Sequence, residues 1–252
     1  MKAKTIAFAA VLAMALVLSG CTFKAEVNAK DANAPVPDEN NEPAEEGPVR
    51  LAVIGTPSPE LKALLESDSA KALQMSYTEF SPGNVVQGSL DNYNEVLLLE
   101  EKVTRSTTKE IERQQARGKS FIIVKGAAYL DSDSRVVWDV LKGFWPVQNA
   151  QGVKSEKPPR SVSIESRELK KNRESPIFSG FTAQEMDWEL TEVNAHGLEA
   201  VEEGTVYDDE DVGRPAIVYR ITTGVPRTRS VYFAYAPEKT PVILFNALDY
   251  LR

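Results

Sequence analysis

Three short apolar runs constrain this chain most: "VRLAVIG" (49–55), "NEVLLLEE" (94–101) and "SFIIVKG" (120–126). Each is seven or eight residues long, rich in Val, Ile and Leu, and closed by glycine or a charge. Strands buried on both faces have this pattern, whereas strands with one wet face alternate polar and apolar residues. Helix signals lie between the runs. In "TPSPELKALLES" (56–67), Thr56 or Ser58 can cap, a proline sits near the first turn, and Leu61, Leu64 and Leu65 form one apolar face. "STTKEIERQQARGK" (106–119) is a polar helix with Gly118 as its stop, and "SRVVWDVLKGFW" (134–145) has helical spacing at Val137, Trp138, Val140 and Leu141. "MSYTEF" (75–80) alternates as a further strand. Buried strands alternating with helices predict an α/β fold with a parallel sheet covered by helices on both faces.

The second half has a different character. "RSVSIES", "WELTEVN", "LEAVEEGTVY", "RPAIVYRIT" and "SVYFAYAP" are short strands with few helices between them, which predicts an antiparallel β extension of the sheet. "TPVILFNALDYLR" (240–252) closes as a helix with Thr240 as cap, Pro241 at its first position, and Val242, Phe245, Leu248 and Leu251 on its buried face.

Residues 1–21 are of another kind. Lys2 and Lys4 precede an apolar run from Ile6 to Leu18, too short for the ~20 apolar residues of a spanning helix. This is the pattern of a secretory signal peptide. Leu18, Ser19, Gly20 and Cys21 resemble the lipobox of prokaryotic lipoproteins, a branched apolar residue and two small ones before a cysteine. That resemblance implies cleavage before Cys21 and acylation of it, by palmitate or a similar chain. Two or more acyl chains are needed for a stable anchor. The expected location is the cell membrane or outer membrane, lipid-anchored and facing outside the cytoplasm. Cys21 is the single cysteine, so no internal disulfide is expected. Residues 22–48 carry seven acids against two lysines, with several prolines and almost no large apolar side chains, and are expected to be a disordered acidic tether.

The domain expected at 49–252 is acidic. Of the formal −8 on the chain, the leader's two lysines and the tether's net −5 leave −5 here. An acidic domain without a basic stripe argues against nucleic acid. Expected partners are the membrane, reached through the N-terminal lipid, and an envelope protein or a carbohydrate.

Catalytic chemistry finds little footing. His196 is the single histidine, lies in the turn-like "NAHGLEAV", and is separated from Cys21 by the tether. No GxSxG elbow, glycine-rich phosphate loop or set of zinc ligands is present, so no cofactor, metal or catalytic residue is expected. Asp208, Asp209, Glu210 and Asp211 cluster in "YDDEDVG" without EF-hand spacing and read as a solvated hairpin turn. Trp138, Trp145 and Trp188 read as core.

"GKSFIIVKGAAYL", "VVWDVLKGFWP", "ESPIFSGF" and "GRPAIVYRI…RSVYFAYAPEKTP…NALDYL" together resemble the class I glutamine amidotransferase-like superfamily, and within it the trehalose-utilisation (ThuA-like) branch. The resemblance implies a flavodoxin-like sheet with ligand sites outside the carboxyl ends of its parallel strands. It also implies a cysteine nucleophile after the strand that here reads "FIIVKG", where this chain has Lys125-Gly126-Ala127-Ala128. The architecture is therefore expected without the activity: a binding or scaffolding module, or alternatively a carbohydrate-active or sugar-binding protein. Thr56 and Ser58 after the first strand, Glu100 and Glu101 after the third, and Lys125 and Tyr129 after the fourth are the candidate ligand crevice, with a Lys–Glu contact expected at its rim.

Overall fold

Nine strands form one continuous sheet. They belong to a computed structural model that describes residues 47–252 except 142, 153–156, 198 and 224, and these residues fall within one compact unit. The leader, Cys21 and the tether lie outside the described residues, apart from Gly47 and Pro48. No described helix is long and apolar enough to cross a membrane.

The chain alternates strand and helix through its first half: β1 (Arg50–Ile54), α1 (Pro59–Leu65), α2 (Asp68–Ala72), β2 (Ser76–Phe80), β3 (Glu95–Leu98), β4 (Lys102–Val103), α3 (Arg105–Gln115), β5 (Ser120–Val124), β6 (Leu130–Asp131) and α4 (Trp138–Leu141). It then runs β7 (Val147–Asn149), β8 (Ser161–Lys171), β9 (Glu185–Thr191), β10 (Val193–Ala195), β11 (Ala200–Tyr207), β12 (Gly213–Ile221), β13 (Arg229–Phe233) and α5 (Pro241–Leu251). The pairings of β1 with β2, β1 with β3, β3 with β5 and β5 with β13 are parallel. From β13 outward through β12, β11, β8 and β9 every pairing is antiparallel. The fold is thus mixed α/β, with a parallel part built mainly from the first half and an antiparallel extension from the second.

Hydrophobic burial explains the central strands. Every residue of β3 and β5 is buried, as is β1 from Leu51 onward. Each such Val, Leu or Ile contributes about 1.5–3 kcal/mol relative to exposure. β2, at the sheet's edge, has only Tyr77 and Phe80 half-buried, with Thr78 and Glu79 both exposed, so the expected alternation breaks midway. Ser58 caps α1 by accepting the Leu61 N–H at 3.0 Å, with Pro59 inside the first turn. α3 is held largely by polar contacts. Ser106 donates to the Val85 carbonyl at 2.7 Å and Thr107 to the Pro82 carbonyl at 2.6 Å.

Two helices differ from the pattern in the sequence. The 134–145 segment forms a single α-turn, Trp138–Leu141, with Val140 mostly exposed. Trp138 and Trp145 are nevertheless core, because ring packing around Tyr129, Tyr232, Phe121 and Phe144 anchors the segment without a long helix. In α5 the buried face is Ile243, Leu244, Ala247, Leu248 and Leu251, while Val242 is exposed and Phe245 half-buried. The helix starts at Pro241 as expected, but it is rotated so that the i, i+1, i+4 set faces the core. Thr240 spends its hydroxyl on Tyr235 at 2.8 Å and makes no side-chain cap.

Candidate functional site

The parallel strands β1, β3, β5 and β13 end on one side of the sheet, and the turns that leave them meet there. Gly55 follows β1 at φ +114°, and a Cβ built on it would lie 2.9 Å from the Glu100 backbone nitrogen. Only glycine lets the ends of β1 and β3 approach this closely. Beyond β3, the Glu100 carbonyl accepts the Ala128 N–H at 2.7 Å and the Glu101 carbonyl accepts the Leu130 N–H at 3.1 Å. These bonds, with the β4–β6 pairing, lock the turn after β5 onto the turn after β3.

Lys125 is the first residue beyond β5. Its backbone is left-handed, φ +52°, and its N–H donates to the Phe233 carbonyl at the end of β13 at 2.7 Å. Left-handed backbone at a non-glycine residue costs about 1–2 kcal/mol. Its ammonium lies 3.4 Å from Glu189 Oε2 on β9. Gly126 lies beneath Pro158 and Pro159, whose ring atoms would stand 4.0 and 3.6 Å from a Cβ placed there. The 158–159 segment therefore packs over Gly126, while Lys125 stays partly solvated beside Glu189.

The candidate residues fall into four groups. Lys125 stands partly solvated at the turn after β5. Thr56, Glu100 and Glu101 are exposed, and Glu101 reaches toward Gly126, where its Cγ would be 3.9 Å from an added Cβ. Ser58 is engaged twice, capping α1 and donating to Glu238 Oε1 at 2.7 Å. Tyr129 belongs to the interior. It is 1% exposed, its ring packs edge-on against Trp138 at 5.0 Å, and its hydroxyl accepts from Asn149 Nδ2 at 3.2 Å.

The carboxylate facing Lys125 thus comes from β9 rather than from Glu100 or Glu101. Glu189, Glu238, Pro158 and Pro159 were not legible as neighbours of this end; β9, for instance, reaches it through the Thr191 N–H donating to the Ala234 carbonyl at 2.8 Å, a contact distant in sequence. The alternation in "MDWELT", with Trp188 and Leu190 inward, does mark Glu189 as outward-facing. Beside this end, at the start of α5, a groove of about 280 Å³ is lined by Phe181, Gln184, Met186, Lys239, Thr240 and Val242 among others. Lys239 bridges it to β9 by donating to the Asp187 carbonyl at 2.6 Å.

The remaining titratable clusters have structural roles. Asp208 accepts the Glu210 and Val212 N–H groups at 3.0 and 2.9 Å and pairs with Arg214, closing the β11–β12 hairpin. Those backbone bonds, chiefly that of Val212, together with Arg214 hold its carboxyl below the usual range against the upward push of burial. The His196 N–H donates to the Pro146 carbonyl at 2.8 Å in a turn. Among the described residues no group of three or more His, Cys, Asp or Glu is arranged to hold a metal ion.

No protein-family model matches the chain, and no curated protein matches it by sequence. Solved structures do match in fold. A cytoplasmic protein of Salmonella typhimurium aligns with a TM-score of 0.58 at 10% identity, over 81% of this chain and 100% of its own. A putative ThuA-like protein from Bacteroides uniformis aligns at 0.50 and 14% identity, over 79% of this chain and 89% of that one. A cold-adapted β-galactosidase from Rahnella aligns at 0.53 and 13% identity over 80% of this chain, which spans only 31% of that enzyme. At these identities the likeness is one of fold.

Proposed function

We propose that this chain is a membrane-anchored extracytoplasmic lipoprotein whose folded part, a flavodoxin-like domain of the amidotransferase-like, ThuA-like kind, is a non-catalytic binding or scaffolding module. The β2-β1-β3-β5-β13 order is the 2-1-3-4-5 order of doubly wound flavodoxin-like sheets, which bind ligands outside the carboxyl ends of their strands. One observation carries the functional reading. The turn after β5 presents Lys125 in left-handed backbone, pairs it with Glu189, and lies under Pro158 and Pro159. A nucleophile needs an adjacent base and open access to its substrate. Here the turn reads Lys125-Gly126-Ala127-Ala128, with an ammonium beside a carboxylate and prolines packed on Gly126. The exposed rim of Thr56, Glu100 and Glu101 then serves to bind an envelope partner.

Two experiments test the two halves of this reading. Cys21→Ser is expected to shift the protein from the membrane to the soluble fraction and abolish acyl labelling. Wild-type protein found in the soluble fraction without label contradicts the anchor. Envelope proteins retained by the wild-type chain from detergent-solubilised membranes should be lost in Glu100→Lys/Glu101→Lys, and an unchanged set contradicts the rim as the binding surface. The second reading, a carbohydrate-active or sugar-binding protein, takes Lys125 after β5 with Glu100 and Glu101 after β3 as its site. Saturable heat on titration with a sugar, removed by Glu100→Ala, favours it.

A further inference from the structure

A second concave surface runs along α3. A groove of about 480 Å³ is lined by Gln87, Arg105, Ser106, Lys109, Glu110 and Arg113. Arg105, Lys109 and Arg113 are spaced four residues apart, so they rise along one helix face at intervals of about 6 Å. This row stands on an otherwise acidic domain.

The three cations are not equivalent. Arg113 is fixed by Glu110, Nε to Oε2 at 2.7 Å, and also by Asp91. Glu110 is fully buried and saturated, accepting from Arg113, from Gln114 at 2.7 Å, and from the Gly88 and Leu90 N–H groups at 3.1 and 3.4 Å. Those bonds fasten the 87–90 wall of the groove to the helix. Arg105 and Lys109 are exposed and form no ion pair among the described residues. The groove therefore has a rigid floor whose acid is already neutralised, and two cations one helical turn apart that remain available.

We propose that this groove binds an extended acidic segment of a partner protein. Alternate residues of an extended strand lie about 6.8 Å apart on one face, close to the spacing of the cations. The arginine fork pairs bidentately with carboxylates, and the lysine supplies a point charge. A single-stranded nucleic acid wants aromatic platforms for its bases, and no aromatic side chain is among the residues lining the groove. A flat anionic bilayer meets the rim of a concave groove rather than its wall. The α3 groove shares no lining residue with the rim of Thr56, Glu100 and Glu101, so substitutions at Arg105 and Lys109 test it apart from the crevice reading.

The test uses the full chain in detergent and a fluorescein-labelled twelve-residue peptide alternating Glu and Thr, followed by anisotropy at low salt. Saturable binding is expected, weakened at least tenfold by Arg105→Gln/Lys109→Gln and progressively by salt, as screening requires. It should be unchanged by Lys71→Gln on α2 and absent for the Gln–Thr peptide. Melting curves matching wild type show that the variants fold. The proposal is overturned by no saturable binding, by binding the double variant retains, or by tighter Arg105- and Lys109-dependent binding of anionic vesicles or an oligonucleotide than of the peptide.

Discussion

Lys125 Nζ stands 3.4 Å from Glu189 Oε2, joining the end of central strand β5 to edge strand β9 at the carboxyl side of the sheet. The two side chains are 34% and 61% exposed, so the contact is a solvated rim pair. Such a pair contributes about 0–1 kcal/mol. Its significance is positional, since it places a cation and a carboxylate where this kind of sheet would bind a ligand. Glu189→Ala is expected to change thermal stability little, within about 1 kcal/mol, and calorimetric melting checks this.

The backbone at Lys125 makes a sharper prediction. With φ at +52°, Lys125→Gly relieves left-handed strain and Lys125→Val increases it. Denaturant unfolding should rank glycine above valine by about 2 kcal/mol. Equal stabilities would mean that the turn after β5 is not left-handed in solution.

Gly55→Ala should be among the most damaging single changes near this site. The added methyl would meet the Glu100 backbone at 2.9 Å with φ at +114°, so both strain and overpacking apply. A loss of about 2–4 kcal/mol is expected in equilibrium unfolding.

Glu95 governs a pH dependence. It begins β3, is fully buried, and both of its carboxylate oxygens lack hydrogen-bond partners. Burial pushes its carboxyl well above the ordinary range, Arg252 pulls it back, and Asp249 adds to the rise. The folded state therefore holds a proton that the unfolded chain releases near pH 4, and this contribution to stability falls as pH rises above that point. Glu95→Gln should raise the melting temperature at pH 8 by more than it does at pH 4. An increase equal at both pH values contradicts the assignment.

Asp91 and Glu110 act in the opposite sense. Hydrogen bonds from Gln114 and Arg113 hold Asp91 down to about 2. For Glu110, burial pushes upward but the Arg113, Gln114, Gly88 and Leu90 bonds outweigh it, leaving its carboxyl below the usual range. Depressed carboxyls contribute stability above their unfolded values near pH 4, and lose it as pH falls toward 2. Protection of the Gly88 and Leu90 amides from hydrogen exchange should decline over that window. Glu110→Ala should abolish it at neutral pH, at a cost of about 1–3 kcal/mol, because the Gly88 and Leu90 N–H groups lose their acceptor.

Elements whose signal is local were readable from the sequence. β1, β3 and β5 announced themselves as continuous apolar runs, α1 by Ser58 and Pro59, and the turn at Asp208 by its clustered acids. Face assignments over few residues were not readable. In α5 nearly every position is apolar, so periodicity does not choose between Val242 and Ile243, and contact with the sheet decides. α4 shrank to one turn because aromatic packing fixes Trp138 and Trp145 whatever the backbone does between them. At the site, residues leaving β1, β3 and β5 were foreseen on one side of the sheet. Tyr129 turned inward, however, and Glu189 arrived from β9, since backbone contacts distant in sequence, such as Thr191 to Ala234, leave no mark at either residue.

The central claim is that the crevice after β5 binds without catalysing. Its most direct measurement is product formation by the full chain across a panel of glycosides, amides and esters, wild type beside Lys125→Ala. The account predicts no turnover above buffer for either protein. Turnover by wild type that disappears in Lys125→Ala would contradict it.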